Sequence, residues 1–187
     1  MIRCYITDRH SAGGTAGVLD CIGRALRQGV DLIQIREKDM QARDLLALLE
    51  QAMALPNPGG TRILVNTRAD VAIAAGAHGL HLPADSIPAA RWRVLIPRGW
   101  IITQSCHTLD EVRAAKDADF ILFGPVFAPR SKPGEGVGLE MLARAVRVSP
   151  APVLALGGIT ASNAEECMQA GAAGIAAITL FQTPDPC

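Results

Sequence analysis

The chain has 187 residues, 49% of them hydrophobic, a length and composition typical of one domain with a sizeable core. A formal net charge of +0 and an aromatic content of 4% argue against binding to nucleic acid or to an anionic membrane. No apolar run reaches the roughly 18 residues that a membrane span needs. A strand-like run at the start predicts no signal peptide, and scattered cysteines without a Cys-x-x-Cys pair favour the cytoplasm.

Short β-branched and aliphatic runs alternate along the chain with helical patterns, which indicates a parallel sheet. We predict strands near 2–7, 30–36, 62–66, 79–82, 100–105, 119–124, 152–157 and 174–179. We predict helices near 16–28, 40–54, 69–75, 86–95, 108–116, 138–147 and 161–170. Eight strands in this order favour an α/β fold, a single (β/α)8 TIM barrel over residues 1–187, rather than an open doubly wound sheet.

The C-terminal segment 180–187 is too short and too rich in proline for a full eighth helix. We therefore expect the eighth helix to be truncated or missing. The outer faces of the first and last strands would then be uncovered. A second subunit would cover them, which predicts a homodimer.

The second predicted strand carries a polar face. Side chains alternate along a strand, so Gln34, Arg36 and Lys38 share one side while Ile33 and Ile35 pack toward the helices. Two unpaired cations facing the barrel axis are costly, and an anionic ligand at the barrel mouth would remove that cost. The alternative is an internal salt bridge to Asp or Glu.

Polar residues also end the next three strands. Asn66 either faces the barrel mouth or caps the following helix, and Asp85 is placed to cap the next one. His81 faces inward, where a structural role is favoured over catalysis. Ser105 and His107 share a face of the fifth strand, and a histidine at the C-terminal end of a barrel strand suits proton transfer. The alternative for His107 is a position beside a helix cap.

The segment 124–138 is long for a connection between a strand and a helix. Long ordered loops in compact domains often cover a binding site. Ser131 and Lys132 in this segment could reach a phosphate group. The alternative is a mobile surface loop.

The ends of the last two strands predict a phosphate site. Gly157 and Gly158 would let backbone N–H groups approach a ligand closely, and Thr179 follows the eighth strand. Loops after strands seven and eight hold phosphate in many barrels of this kind. The alternative for the two glycines is a tight structural turn.

Taken together, these residues resemble the thiamine-phosphate synthase/TenI family over about residues 3–181. The motifs that stand in family order are Tyr5-Ile6-Thr7-Asp8, Gln34-x-Arg36-x-Lys38, Ser105-x-His107-Thr108, Phe123-Gly124-Pro125-Val126-Phe127, Lys132, Gly157-Gly158-Ile159 and Gly171-Ala172-x-Gly174-Ile175. The family has a (β/α)8 fold, in agreement with the strand pattern.

The resemblance covers two activities. Synthases of the family join a hydroxymethylpyrimidine pyrophosphate to a thiazole phosphate, and two acids hold Mg²⁺ on the leaving pyrophosphate. In this chain Thr67 stands where the first acid is expected, and Asp85 is the stand-in for the second, since ungapped alignment places Ser86 there. The loop motif Thr-x-Thr-Lys of synthases reads Pro129-Arg130-Ser131-Lys132 here.

These departures favour the TenI branch, whose members aromatise a phosphorylated thiazole by moving a proton without any metal or other cofactor. The resemblance then makes His107 the acid–base catalyst and Gly157, Gly158 and Thr179 the phosphate site, assisted by Lys132. Arg36 and Lys38 would hold a carboxylate or a second anion. Two alternatives stay open: a thiamine-phosphate synthase that uses Mg²⁺ near Asp85, and a regulator that binds thiazole phosphate without turnover.

Overall fold

The computed structural model describes residues 1–128 and 134–183, in which strands and helices alternate from end to end. The strands are β1 (Ile2–Ile6), β2 (Leu32–Ile35), β3 (Arg62–Asn66), β4 (Gly79–Leu82), β5 (Ile101–Cys106), β6 (Phe120–Phe123), β7 (Val153–Leu156) and β8 (Gly174–Ala177). The helices are α1 (Thr15–Arg27), α2 (Ala42–Met53), α3 (Ala69–Ala74), α4 (Ala89–Leu95), α5 (Leu109–Ala114), α6 (Gly138–Val148), α7 (Ala164–Gln169) and α8 (Thr179–Gln182). All strands pair in parallel in chain order, and β8 pairs with β1, so the predicted closed (β/α)8 barrel is confirmed.

Alternation along the strands divides the apolar side chains between two layers. Inward residues fill the barrel axis, with Leu32, Leu64 and Leu154 in one buried cluster. Outward residues such as Ile33 and Val65 pack beneath the helices. The longest helix, α1, has 13 residues, and no helix in the described ranges is both long and apolar enough to cross a membrane.

The C-terminal end confirms one expectation and corrects another. Helix α8 is truncated to four residues, as predicted. The outer faces of β1 and β8 are nevertheless covered, since Tyr5 is 0% and Ile175 is 2% exposed. The Phe181 ring lies 5.9 Å from the Tyr5 ring, and Gln182 donates to the Tyr5 hydroxyl. The prediction that these two faces are exposed is therefore wrong. The homodimer was predicted from that exposure, so the structure gives it no support.

Left-handed residues end the helices that precede the even-numbered strands. Gly29, Gly76 and Gly171 have φ of 63°, 66° and 94°. Asp117 takes the same role before β6 with φ of 68°, since a short polar side chain tolerates this region. These turns reverse the chain within a few residues and bring each strand back into the barrel.

Candidate functional site

A cavity of about 550 Å³ opens at the C-terminal ends of the strands. The side chains that the sequence placed there lie around this one cavity: Gln34, Arg36, Lys38, Asn66, Ser105, His107, Gly157, Gly158 and Thr179. Ser131 and Lys132 lie outside the described residues. The cavity is therefore the place where the polar strand ends converge, as expected for the functional face of a barrel.

The cationic wall follows β2. Arg36 and Lys38 line the cavity, and neither forms an ion pair with any residue in 1–128 or 134–183. Glu37, between them, is buried and turned away, accepting a 2.6 Å hydrogen bond from the Thr7 hydroxyl and further bonds from the Arg9 backbone N–H. Thr7 in turn accepts from the backbone N–H of Arg36 at 2.9 Å. The two cations are thus held at the cavity with their charge available to a ligand.

An outer ion pair braces the loops after β1 and β2. Arg9 donates two hydrogen bonds to the Asp39 carboxylate, at 2.5 and 2.6 Å, and His10 lies 3.0 Å from the same group. Hydrogen bonding to Arg9 holds the pKa of Asp39 well below its usual range. The pair is solvent-exposed, so its contribution is to the position of the loops more than to stability.

Gln34 presents a buried acceptor beside the cations. The side chain is 2% exposed, and its Nε2 donates to Asn66 Oδ1 at 3.1 Å. Its Oε1 has no hydrogen-bond partner among the described residues. Asn66 therefore supports Gln34 and does not cap α3, whose N-cap is Arg68. A ligand N–H group would satisfy the unpaired oxygen of Gln34.

His81 lies between two hydroxyl groups of β5. Its Nδ1 is 2.8 Å from Thr103 Oγ1 and its Nε2 is 2.9 Å from Ser105 Oγ. Burial, and then the charges of Arg36 and Lys38, lower the pKa of His81 to about 3, so the ring is neutral at pH 7. The predicted structural role of His81 is therefore incomplete, because its ring also lines the cavity.

His107 is fixed just past the C-terminal end of β5. Its Nδ1 donates to the Gly124 carbonyl at 2.6 Å, which leaves Nε2 without a partner in the described ranges. Thr108, not His107, caps α5 and forms a reciprocal capping box with Glu111. The imidazole can therefore present Nε2 to a ligand.

The glycine wall follows β7. Gly157 and Gly158 have φ of 96° and 63°, and a Cβ on either would clash with the segment after β6: 2.5 Å from Pro125 and 2.8 Å from Phe127. The backbone N–H groups of Gly158 and Ile159 donate to no acceptor within the described chain. This wall offers an anion backbone donors that no side chain obstructs.

The residues near Asp85 do not fit a magnesium ion held by protein carboxylates. Asp85 lies outside the main cavity, in a neighbouring one of about 350 Å³ lined also by Glu37, Asn66 and Thr67. Glu37 is already hydrogen-bonded to Thr7 and Arg9. The described residues contain no cluster of three acids, histidines or cysteines placed to bind a metal. A hard dication prefers several carboxylate oxygens, which this position lacks.

Comparisons with known proteins agree with the geometry. The model of the family described as thiamine monophosphate synthase (TMP-TENI) matches residues 4–181. The chain belongs to this family. It is 46% identical to a Geobacter sulfurreducens protein named "Putative thiamine-phosphate synthase", over 97% of this chain and 87% of that one.

Two further relatives of the thiamine monophosphate synthase family extend the match. The thiamine-phosphate synthase of Roseiflexus sp. is 40% identical over 97% of this chain and 78% of its own length. The structure of thiamine phosphate pyrophosphorylase from Pyrococcus furiosus superposes with a TM-score of 0.85 at 30% identity, covering 98% and 89% of the two chains. The resemblance seen in the motifs is therefore confirmed over nearly the whole chain.

These relatives contradict the predicted thiazole tautomerase. Proteins 37–46% identical over most of the chain are named thiamine-phosphate synthases. The tautomerase prediction depended on Thr67, on the missing acid near Asp85 and on the altered loop motif at 129–132, whereas the identity extends over 97% of the chain. Thr67 and Asp85 line the side cavity and do not line the main one.

The sequence pattern did not identify several residues that support the cavity. Thr103 lies on the same face of β5 as Ser105, and strand alternation alone could have found it. Thr7 and Glu37, which are 30 residues apart in the sequence, form a hydrogen bond with each other behind the cations. No local sequence pattern reveals such a contact. Gln182 bonds Ser11 and the Asp8 carbonyl, linking α8 to the loop after β1.

Proposed function

We propose that the protein is a thiamine-phosphate synthase, which joins hydroxymethylpyrimidine pyrophosphate to a thiazole phosphate and releases pyrophosphate. The observation that carries the proposal is one cavity with two walls suited to anions: Arg36 and Lys38 after β2, and after β7 N–H groups that have no acceptor among the described residues. The reaction needs both walls, because each of its two substrates brings phosphate groups. The names of the relatives support the same reaction.

The β2 wall suits the pyrimidine substrate. Arg36 and Lys38 face the cavity without protein counter-ions in the described ranges and would hold the pyrophosphate. The unpaired Oε1 of Gln34, next to them, would accept a hydrogen bond from the amino group of the ring. One ligand with an N–H donor and an anionic tail satisfies all three side chains.

The β7 wall suits the thiazole phosphate. The N–H groups of Gly158 and Ile159 would bind phosphate oxygens, and Thr179 adds a hydroxyl from the start of α8. The apolar side chains of Ile6, Leu122 and Leu156 lie at the floor between the walls. This floor would hold the two rings and keep water from the reacting carbon.

The chemistry requires charge stabilisation and alignment. The bond between the pyrimidine methylene carbon and the pyrophosphate oxygen breaks, and its electron pair leaves with pyrophosphate. The thiazole nitrogen then donates its lone pair to the same carbon and becomes a thiazolium. No proton is removed in this balance. Arg36 and Lys38 would stabilise the charge that develops on the leaving group, which is where preorganised cations lower a barrier most.

A coupled assay tests the proposal. The full chain is incubated with both substrates in buffer containing Mg²⁺, and pyrophosphate and thiamine phosphate are measured together. We expect the two products in equal amounts, and Arg36→Ala is expected to lower the rate strongly. Arg91→Ala, on the exposed surface of α4, is the matched control. Binding of both substrates without pyrophosphate release would overturn the proposal and favour a non-catalytic binding protein.

A further inference from the structure

The hydroxyls on either side of His81 determine where its proton lies. Thr103 is 2% exposed, and its hydroxyl has one partner among the described residues, His81 Nδ1 at 2.8 Å. If Nδ1 carried the proton, the Thr103 hydroxyl would keep a hydrogen with no acceptor. A buried unsatisfied donor disfavours that tautomer by roughly tenfold or more. Thr103 therefore donates to Nδ1, and the proton of the neutral ring is on Nε2.

The proton on His81 Nε2 determines whether Ser105 can donate a hydrogen bond to a ligand. Nε2–H donates to Ser105 Oγ at 2.9 Å, so the serine cannot use its own hydrogen toward the histidine. Ser105 has no other protein partner in the described ranges, and its side chain lines the main cavity. Its O–H is thus left pointing at the ligand space as a donor. With the opposite tautomer, Ser105 would donate its hydrogen to His81 Nε2, and toward a ligand its hydroxyl could only accept a hydrogen bond.

We infer that His81 is a positioning residue that, set by Thr103, holds Ser105 as a hydrogen-bond donor to a pyrophosphate oxygen. The inference rests on the proposed function for the identity of this anion. An anionic oxygen only accepts hydrogen bonds, so a serine fixed as a donor matches it and a serine fixed as an acceptor repels it. The neutral ring suits this role, since burial and the nearby cations oppose its protonation.

Two measurements on the full chain test this. The first is ¹⁵N NMR of histidine-labelled protein at pH 7, with His81 assigned by comparison with His81→Gln. We expect a protonated Nε2 and an unprotonated Nδ1. A protonated Nδ1 would overturn the inference, whatever the enzyme turns over.

The second is a double-mutant cycle read out by calorimetric binding of inorganic pyrophosphate. Ser105→Ala should weaken binding roughly tenfold, the loss of one charge-assisted hydrogen bond. Thr103→Val should weaken binding about three- to tenfold in the native background and have no effect in the Ser105→Ala background. Thr103→Ser keeps the hydroxyl and should restore native affinity.

The outcomes separate the inference from the proposed function. Equal effects of Thr103→Val with and without Ser105 would show a merely structural threonine and overturn the inference. Unchanged pyrophosphate affinity in Ser105→Ala would overturn it as well. A cycle that shows coupling in a protein that makes no thiamine phosphate would instead uphold the His81–Ser105 relation and refute the synthase.

Discussion

The two anion-facing walls of the cavity differ in chemistry: one presents charged side chains and the other presents backbone N–H groups. The β2 wall uses the side-chain charges of Arg36 and Lys38, and behind them the Arg36 backbone N–H donates to the Thr7 hydroxyl, which donates to Glu37. The β7 wall uses backbone N–H groups next to Gly157 and Gly158, where a Cβ would clash with the segment after β6. Charged side chains attract an anion over several ångströms, and salt screens that attraction. Backbone N–H groups bind an anion only in direct contact, so a bulkier side chain at the glycines would disrupt their position. Mutations should therefore affect the two walls differently.

The largest expected effect is on the glycine wall. Gly158→Ala places a Cβ 2.7 Å from the Ala128 carbonyl oxygen at φ of +63°. We expect inorganic phosphate binding, measured by calorimetry, to weaken about a hundredfold, with a loss of unfolding free energy of roughly 2–4 kcal/mol. Gly99→Ala is the control, since its φ is +82° but its Cβ would meet nothing within 4 Å. Equal phosphate affinity in both variants would contradict the backbone wall.

The next effect is on the charged wall. Arg36→Ala should weaken pyrophosphate binding about 30-fold at low salt, near 2 kcal/mol, because one charge-assisted contact is lost. The difference from native protein should shrink as ionic strength rises. Arg91→Ala should bind as the native chain does. If salt leaves the Arg36 effect unchanged, the wall does not act through its charge.

Acid should weaken the fold through His81, which is buried between Thr103 and Ser105. Its folded pKa of about 3 lies below the ordinary 6.5, so the unfolded chain binds more protons between these values. Stability therefore rises with pH across this window and is lost as pH falls, by about 2 kcal/mol from pH 6.5 to 5.

Urea unfolding at several pH values measures this slope, and His81→Gln should flatten it. His78 shifts in the same direction, because it is partly buried near Arg62, so the variant comparison isolates His81. An equal slope in native protein and His81→Gln would contradict the low pKa of His81.

The smallest effect lies outside both walls. Thr67 is β-branched yet has φ of 60°, a region that asparagine tolerates far better. Thr67→Asn should therefore raise the unfolding free energy by about 1 kcal/mol in chemical denaturation. Asp117→Asn, at φ of 68°, is the matched control and should change little. A destabilised Thr67→Asn would mean that the threonine hydroxyl, which donates to the Asn66 carbonyl, outweighs the backbone strain.

The sequence alone determined the barrel and the strands that end at its mouth. Local alternation of side chains fixes which residues of β2 and β5 face the axis, so the pattern itself places Arg36 and Ser105 at the cavity. The family followed from motifs spread from Tyr5 to Gly174. Thr67, Ser86 and the loop motif Pro129-Arg130-Ser131-Lys132 favoured the tautomerase, but relatives 37–46% identical over most of the chain are named thiamine-phosphate synthases, so the predicted activity was wrong.

Only the tertiary structure decided how the polar residues support one another. The Thr7 hydroxyl meets Glu37 across 30 positions of sequence, and His81 meets Thr103 across 22, because neighbouring strands bring distant residues within hydrogen-bond reach. The covering of Tyr5 by Phe181 and Gln182 likewise depends on barrel closure, which places β1 beside β8. Periodicity reports the face of a side chain but not its partner, since the partner depends on register across the sheet.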